Sequence, residues 1–124
     1  MEDLLLGTYL TNAVVLIIHE IDSAYWREWR LFGLPGGVTL FLVLHFPLLF
    51  IVLSGLILVA RGEPAGLVFS LILSLGGIAA FLIHSYFWRK GHREFDVPLS
   101  KGILGLTLAL SVFQLTLTVR LMLG

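Results

Sequence analysis

The chain has no cysteine in its 124 residues. That excludes disulfides, thiolate zinc sites, iron–sulfur clusters and covalent c-type haem attachment. It also removes cysteine usage as a guide to the redox compartment. Charge is scarce too: 13% of residues are charged, against about 25% in an ordinary soluble domain. Eight Lys/Arg balance eight Asp/Glu, so nothing in the net charge favours nucleic acid or electrostatic docking on a membrane. No nucleic-acid partner is expected. Proline is limited to four residues, and three of them lie in breaker-rich segments between apolar runs.

What remains is apolar. Hydrophobic residues make up 58% of the chain and the mean hydropathy is +1.00. A water-soluble protein of this size could not hide so much apolar surface. The chain start, Met1-Glu2-Asp3, is acidic and is followed by no small-residue cleavage site. A signal peptide has the opposite character, so the first apolar segment is expected to stay in the mature protein.

A spanning helix needs about 20 mostly apolar residues. The first uncharged run, Leu4 to Ile18, is too short. The helix is therefore expected to continue through His19, Glu20 and Asp22 to Tyr25, drawing an imidazole and two carboxylates into the edge of the hydrocarbon. Further spans are predicted over 38–60, 65–88 and 102–123. The linkers Leu34-Pro35-Gly36-Gly37, Arg61-Gly62-Glu63-Pro64 and Val97-Pro98-Leu99-Ser100 carry turn formers. The expected fold is all-α: a polytopic bundle of four transmembrane helices, with residues 1–124 forming one integral membrane domain.

Arg27, Arg30, Arg89, Lys90, Arg93 and Lys101 fall in the first and third loops, and only Arg61 and Arg120 on the other side. Lys/Arg excess marks the cytoplasmic side. Both termini are therefore expected outside, in a bacterial inner membrane, with Tyr25, Trp26, Trp29, Tyr86 and Trp88 forming an aromatic belt at the cytoplasmic interface.

This topology gathers His19, His45, His84 and His92 on one side of the membrane, together with Glu20, Asp22, Glu28, Glu94 and Asp96. Ionisable groups at membrane depth are costly and usually face a bundle interior or a wet cavity. His19 and Asp22, at i and i+3, share a helix face. Imidazoles and carboxylates without thiolates suit zinc, iron, manganese or nickel. Candidate metal ligands are His19, Asp22, His45, His84 and His92, with zinc or iron expected. Candidate catalytic carboxylates are Glu20 and Asp22, either of which can serve as general base beside a divalent ion. The plainer readings stand beside these. His19 and Asp22 can form a structural pair, His45 can bond a backbone carbonyl freed by Pro47, and Glu20 can pair with Arg27 or Lys90. Glu28, Glu94 and Asp96 read as solvated loop charges. On the fourth span, Thr107, Ser111, Gln114 and Thr118 form a polar face suited to interhelical hydrogen bonds or to a polar path toward the site.

The segment His19-Glu20-Ile21-Asp22, followed by Glu28-Trp29-Arg30-Leu31-Phe32, resembles an uncharacterised family of small bacterial membrane proteins with a His-Glu-Ile/Leu-Asp motif. Leu44-His45-Phe46-Pro47-Leu48 resembles that family's Leu-His-x-Pro-Leu motif. The resemblance implies a four-helix membrane fold and candidate residues, but no reaction.

Three functions remain open from the sequence. One is a metal-dependent membrane enzyme acting on a lipid or other apolar substrate. Another is a non-catalytic accessory, proton-relay or transport subunit. The third is a b-type haem electron-transfer protein with two of His19, His45 and His84 as axial ligands. Membrane lipids are the expected surroundings, and a homo-oligomer or a larger membrane complex is the expected assembly. The orientation has a direct test in a chain free of native cysteine. Gly91→Cys should resist labelling from outside intact cells, and Glu63→Cys should be labelled; the reverse result would invert the topology.

Overall fold

A computed structural model describes residues 1–124 and contains helices only. Helix α1 covers Glu2–Tyr25, α2 is a single turn at Glu28–Leu31, α3 covers Gly37–Ala60, α4 Pro64–Arg89 and α5 Pro98–Leu123. The four long helices are each long and apolar enough to cross a membrane, and the chain is an integral membrane protein. Acidic Glu2 and Asp3 occupy the first turn of α1, where they complement the positive end of the helix dipole. Gly36 and Gly37 adopt positive φ, 99° and 59°, and turn the chain into α3. Gly62, at φ 65°, closes α3, and Pro64 opens α4 at a position where a missing N–H costs nothing.

Two boundaries differ from those read in the sequence. The last helix begins at Pro98 and not at residue 102, because Pro98 opens the helix just as Pro64 does. The first linker contains α2, a turn too short to carry a periodic signal. Pro47 lies inside α3 without ending it.

The helices run alternately up and down. Both termini and the α3–α4 turn share one end; α2 and the α4–α5 loop share the other. Around the bundle α1 packs on α5, α5 on α4, α4 on α3 and α3 on α1, and α1 also touches α4 across the middle. The α1–α4 diagonal is the shorter one, since α3 and α5 do not meet.

The interior is more polar than the exterior. Leu42, Val43, Phe46, Phe50 and other large apolar residues are exposed, as expected where the solvent is lipid. Buried polar or charged residues number 13, against 10 buried hydrophobic ones. Without a hydrophobic drive between helices, packing and hydrogen bonds hold such a bundle. The anticipated polar face of α5 is buried, and Ser111, Gln114 and Thr118 on it are bonded, while the Thr107 hydroxyl has no partner. Asn12 Nδ2 donates to Ser111 Oγ at 3.1 Å and to Gln114 Oε1 at 2.9 Å. Gln114 Nε2 donates to Ser70 Oγ at 2.9 Å, and Ser70 and Thr118 hydroxyls lie 2.7 Å apart. Tyr9 OH donates to the Val52 carbonyl at 2.8 Å, tying α1 to α3. Gly77 supports the α4–α5 seam, because a Cβ there would lie 3.0 Å from Thr107 Cγ2. These contacts fix the helices that carry the residues described next.

Candidate metal centre

The end of the bundle that holds α2 and the α4–α5 loop collects the ionisable side chains. His19, near the end of α1, and His84, near the end of α4, face each other across the short diagonal. Both are buried, and their rings meet edge to face with centroids 4.9 Å apart. Glu28 completes the group. The chain takes a left-handed conformation at Arg27, φ 54°, a geometry uncommon for a residue with a side chain. That reversal starts α2 and turns Glu28 inward, where it is 8% exposed.

His84 is held in a defined tautomer. Its Nδ1 lies 2.7 Å from the Ala80 carbonyl. A carbonyl only accepts, so Nδ1 carries the proton and a neutral ring keeps its lone pair on Nε2. Nε2 lies 3.3 Å from Glu28 Oε1, yet it is buried with no partner of hydrogen-bonding geometry. His19 Nδ1, Ser23 Oγ and Asp22 Oδ2 are also buried without partners. An unpaired buried polar atom costs about 1–3 kcal/mol, so four of them in one neighbourhood demand an explanation.

A second group adjoins the first. His45 Nδ1 bonds the Phe41 carbonyl at 2.6 Å, and its Nε2 lies 2.5 Å from Glu20 Oε2. The carbonyl lies one helical turn before His45 itself, so it is not the one freed by Pro47. Glu20 pairs with His45 rather than with Arg27 or Lys90. The donor atoms of His19, Glu28 and His84 lie within 4.8 Å of one another, as do those of Glu20, Glu28 and His45, and either group could hold a metal ion. Bond lengths of 2.0–2.1 Å in a tetrahedral site place ligand atoms about 3.3 Å apart, which is the separation of His84 Nε2 and Glu28 Oε1, whereas His45 Nε2 and Glu20 Oε2 would have to part from hydrogen-bonding distance.

No lysine or arginine lies within 4.0 Å of Glu20 or Glu28; their only ion-pair partners are histidines. Burial by itself raises the Glu28 carboxyl, but contact with His84 and the charges of His84 and His19 outweigh it and hold the group below its ordinary value. That lowering holds where the imidazoles are protonated; beside neutral rings, burial raises the Glu28 carboxyl and a bound cation would restore the carboxylate.

The site is closed by Phe95, which is fully buried. Its ring packs edge-on to His84 at 4.4 Å and against His19 at 5.9 Å. Phe95 also has positive φ, 63°, and it and Arg27 are the only residues other than glycine with such a backbone. One directs Glu28 inward and the other covers the imidazoles. Loop contacts hold Phe95 in place. Trp88 Nε1 donates to the Glu94 carbonyl at 3.2 Å. Lys101 Nζ bonds Asp96 Oδ1 at 2.5 Å, which holds the Asp96 carboxyl below its usual range.

Of the residues singled out in the sequence, His19 and His84 come together, and His45 joins Glu20 beside them. Asp22 belongs to neither group: its Oδ1 accepts from Trp26 Nε1 at 3.1 Å. His92 is exposed and lies 3.5 Å from Glu94, apart from the cluster. Glu28 reads as a solvated charge in the sequence and proves to be the shared member of both groups.

The family model of DUF6713, a family of unknown function, matches residues 5–121. The chain belongs to that family. The match takes in most of all four long helices and every residue of the cluster, so the site belongs to the DUF6713 region of the chain. No curated protein and no solved structure matches it.

The seal has a chemical test. In wild-type protein diethyl pyrocarbonate should modify His92 readily and spare His19 and His84, as read by peptide mass spectrometry. Phe95→Gly keeps a residue suited to positive φ and should bring His19 and His84 into reaction. Continued protection of both in that variant would show that Phe95 is not the cover.

Proposed function

We propose that this DUF6713 chain binds a divalent cation, of the zinc or iron class, on His19, Glu28 and His84. The observation that carries the reading is the buried, unpartnered Nε2 of His84, with Nδ1 already committed to Ala80 and His19 Nδ1 unpartnered beside it. Metal-ligating histidines characteristically donate their second ring N–H to a carbonyl or carboxylate, which fixes tautomer and orientation. A cation would also satisfy the Glu28 carboxylate, which has no lysine or arginine beside it.

A metal-dependent reaction on a lipid or other apolar molecule accords with the surroundings. A cavity of about 120 Å³ adjoins the cluster, walled by Trp29, Phe32, Leu40 and Leu44 and reaching Glu28 and His45. Its apolar wall suits a hydrocarbon segment, and its ionisable residues lie where a polar head would react. A bound cation supplies Lewis-acid activation of an oxygen. Asp22, through its unpartnered Oδ2, and Glu20, through the oxygen not bonded to His45, are the carboxylates that could accept a proton. A bare ion suits the cluster better than haem, because the imidazoles touch and Phe95 packs on both, with no slot between them for a porphyrin.

Detergent-purified protein loaded with Zn²⁺ or Fe²⁺ and then desalted should retain metal by elemental analysis. His84→Ala should weaken retention at least tenfold, the lower end of the loss seen when only an outer partner of a ligand is removed. His92→Ala should retain metal as wild type does. Metal-free wild-type protein, full retention by His84→Ala, or a Soret band from bound haem would overturn the reading.

A further inference from the structure

Glu28 belongs to both donor groups. On one side of it stand His19 and His84, and on the other Glu20 and His45. A carboxylate has two oxygens and about four lone-pair positions, so one side chain can serve two cations. We infer that the site is dinuclear: a second divalent cation is held by Glu20 and His45, and Glu28 bridges the two ions. This inference rests on the metal-binding reading above and extends it to a second ion.

Three features support the second position. His45 uses the same orienting device as His84. Each ring commits Nδ1 to a carbonyl one turn earlier on its own helix, Phe41 for His45 and Ala80 for His84. Each therefore presents Nε2 to a glutamate, Glu20 in one case and Glu28 in the other. The rings also arrive from different helices, α3 and α4, so the matching geometry is not a local repeat.

His45 is further fixed by stacking. Its ring lies 3.7 Å from that of Phe41, nearly parallel, and Phe41 packs in turn on Trp29, next to Glu28 in α2. The short helix that supplies the bridge and the helix that supplies the second imidazole are locked together by this aromatic contact. Ordinary Coulomb balance points the same way. Glu20 and Glu28 sit side by side in a poorly solvated place with no lysine or arginine within 4.0 Å, and two like charges there repel strongly unless a proton or a cation offsets them; two bound cations would let both stay ionised. Shared carboxylates hold paired cations about 3.5–4 Å apart in two-metal sites generally, and Glu28 is the one carboxylate common to both donor groups.

The test is Mn²⁺ titration of the full chain in detergent, read by bound stoichiometry and by electron paramagnetic resonance. The expected result is two equivalents per chain with the spectrum of an exchange-coupled pair. His45→Ala combined with Glu20→Gln should bind one equivalent and give the hyperfine pattern of an isolated Mn²⁺. Saturation of wild-type protein at one equivalent would overturn the second site and leave the first standing. Two equivalents without coupling would overturn the bridge, and two retained by the double variant would overturn Glu20 and His45 as the ligands of the second ion. No binding of Mn²⁺, Zn²⁺ or Fe²⁺ by wild-type protein would overturn the metal-binding reading itself. The wild-type spectrum decides between one ion and a coupled pair even if the double variant fails to fold.

Discussion

A membrane bundle has no water in its interior with which to satisfy polar groups, so each must find a partner inside the protein. The rest of this structure depends on that constraint. Along most of the bundle it is met by neutral hydrogen bonds, from Tyr9 to Val52 and through Asn12, Ser111, Gln114, Ser70 and Thr118. At the α2 end it is not met. There His19, Ser23, Asp22 and His84 each leave a buried polar atom without a partner, and two carboxylates have only imidazoles for company. In the middle only Asn12 Oδ1 and Thr107 Oγ1 go without a partner, so the four such atoms gathered at this end make it conspicuous.

The backbone has been shaped around that end. Arg27 and Phe95 hold left-handed conformations, at a cost of about 1–2 kcal/mol each for a residue with a side chain. The first places Glu28 and the second seals the histidines. Strain of this kind persists where the surroundings over-determine it, and it clusters at functional sites. The short α1–α4 diagonal brings His19 to His84, while α3 brings His45 beside Glu20. The neutral network in the middle therefore also acts on the site, by fixing the spacing of the helices that carry its residues.

Much of this was legible in the sequence. The four spans follow from apolar run lengths, and the extension of α1 past Ile18 follows from the length a membrane requires, which is what drew His19 and Glu20 into the bundle. The polar face of α5 was visible at helical spacing. Glu28 was not legible as a site residue, since a charge between two tryptophans and two arginines looks like part of an interfacial loop. Its burial depends on the left-handed turn at Arg27, for which the sequence has no glycine or asparagine to give warning. Phe95 was hidden for the same reason. Asp22 and His92 were drawn into the candidate set by spacing and by side of the membrane, but spacing does not say which way a side chain is spent: Asp22 goes to Trp26, and His92 to Glu94.

The central claim is that His19, Glu28 and His84 are metal ligands, and the most direct measurement of it is X-ray absorption at the metal edge of the loaded, purified protein. The account predicts a first shell of nitrogen and oxygen at about 2.0–2.2 Å, with the outer-shell scattering of imidazole rings, and loss of that imidazole signal in His84→Ala. An oxygen-only shell without imidazole scattering, or a spectrum unchanged in His84→Ala, would contradict it.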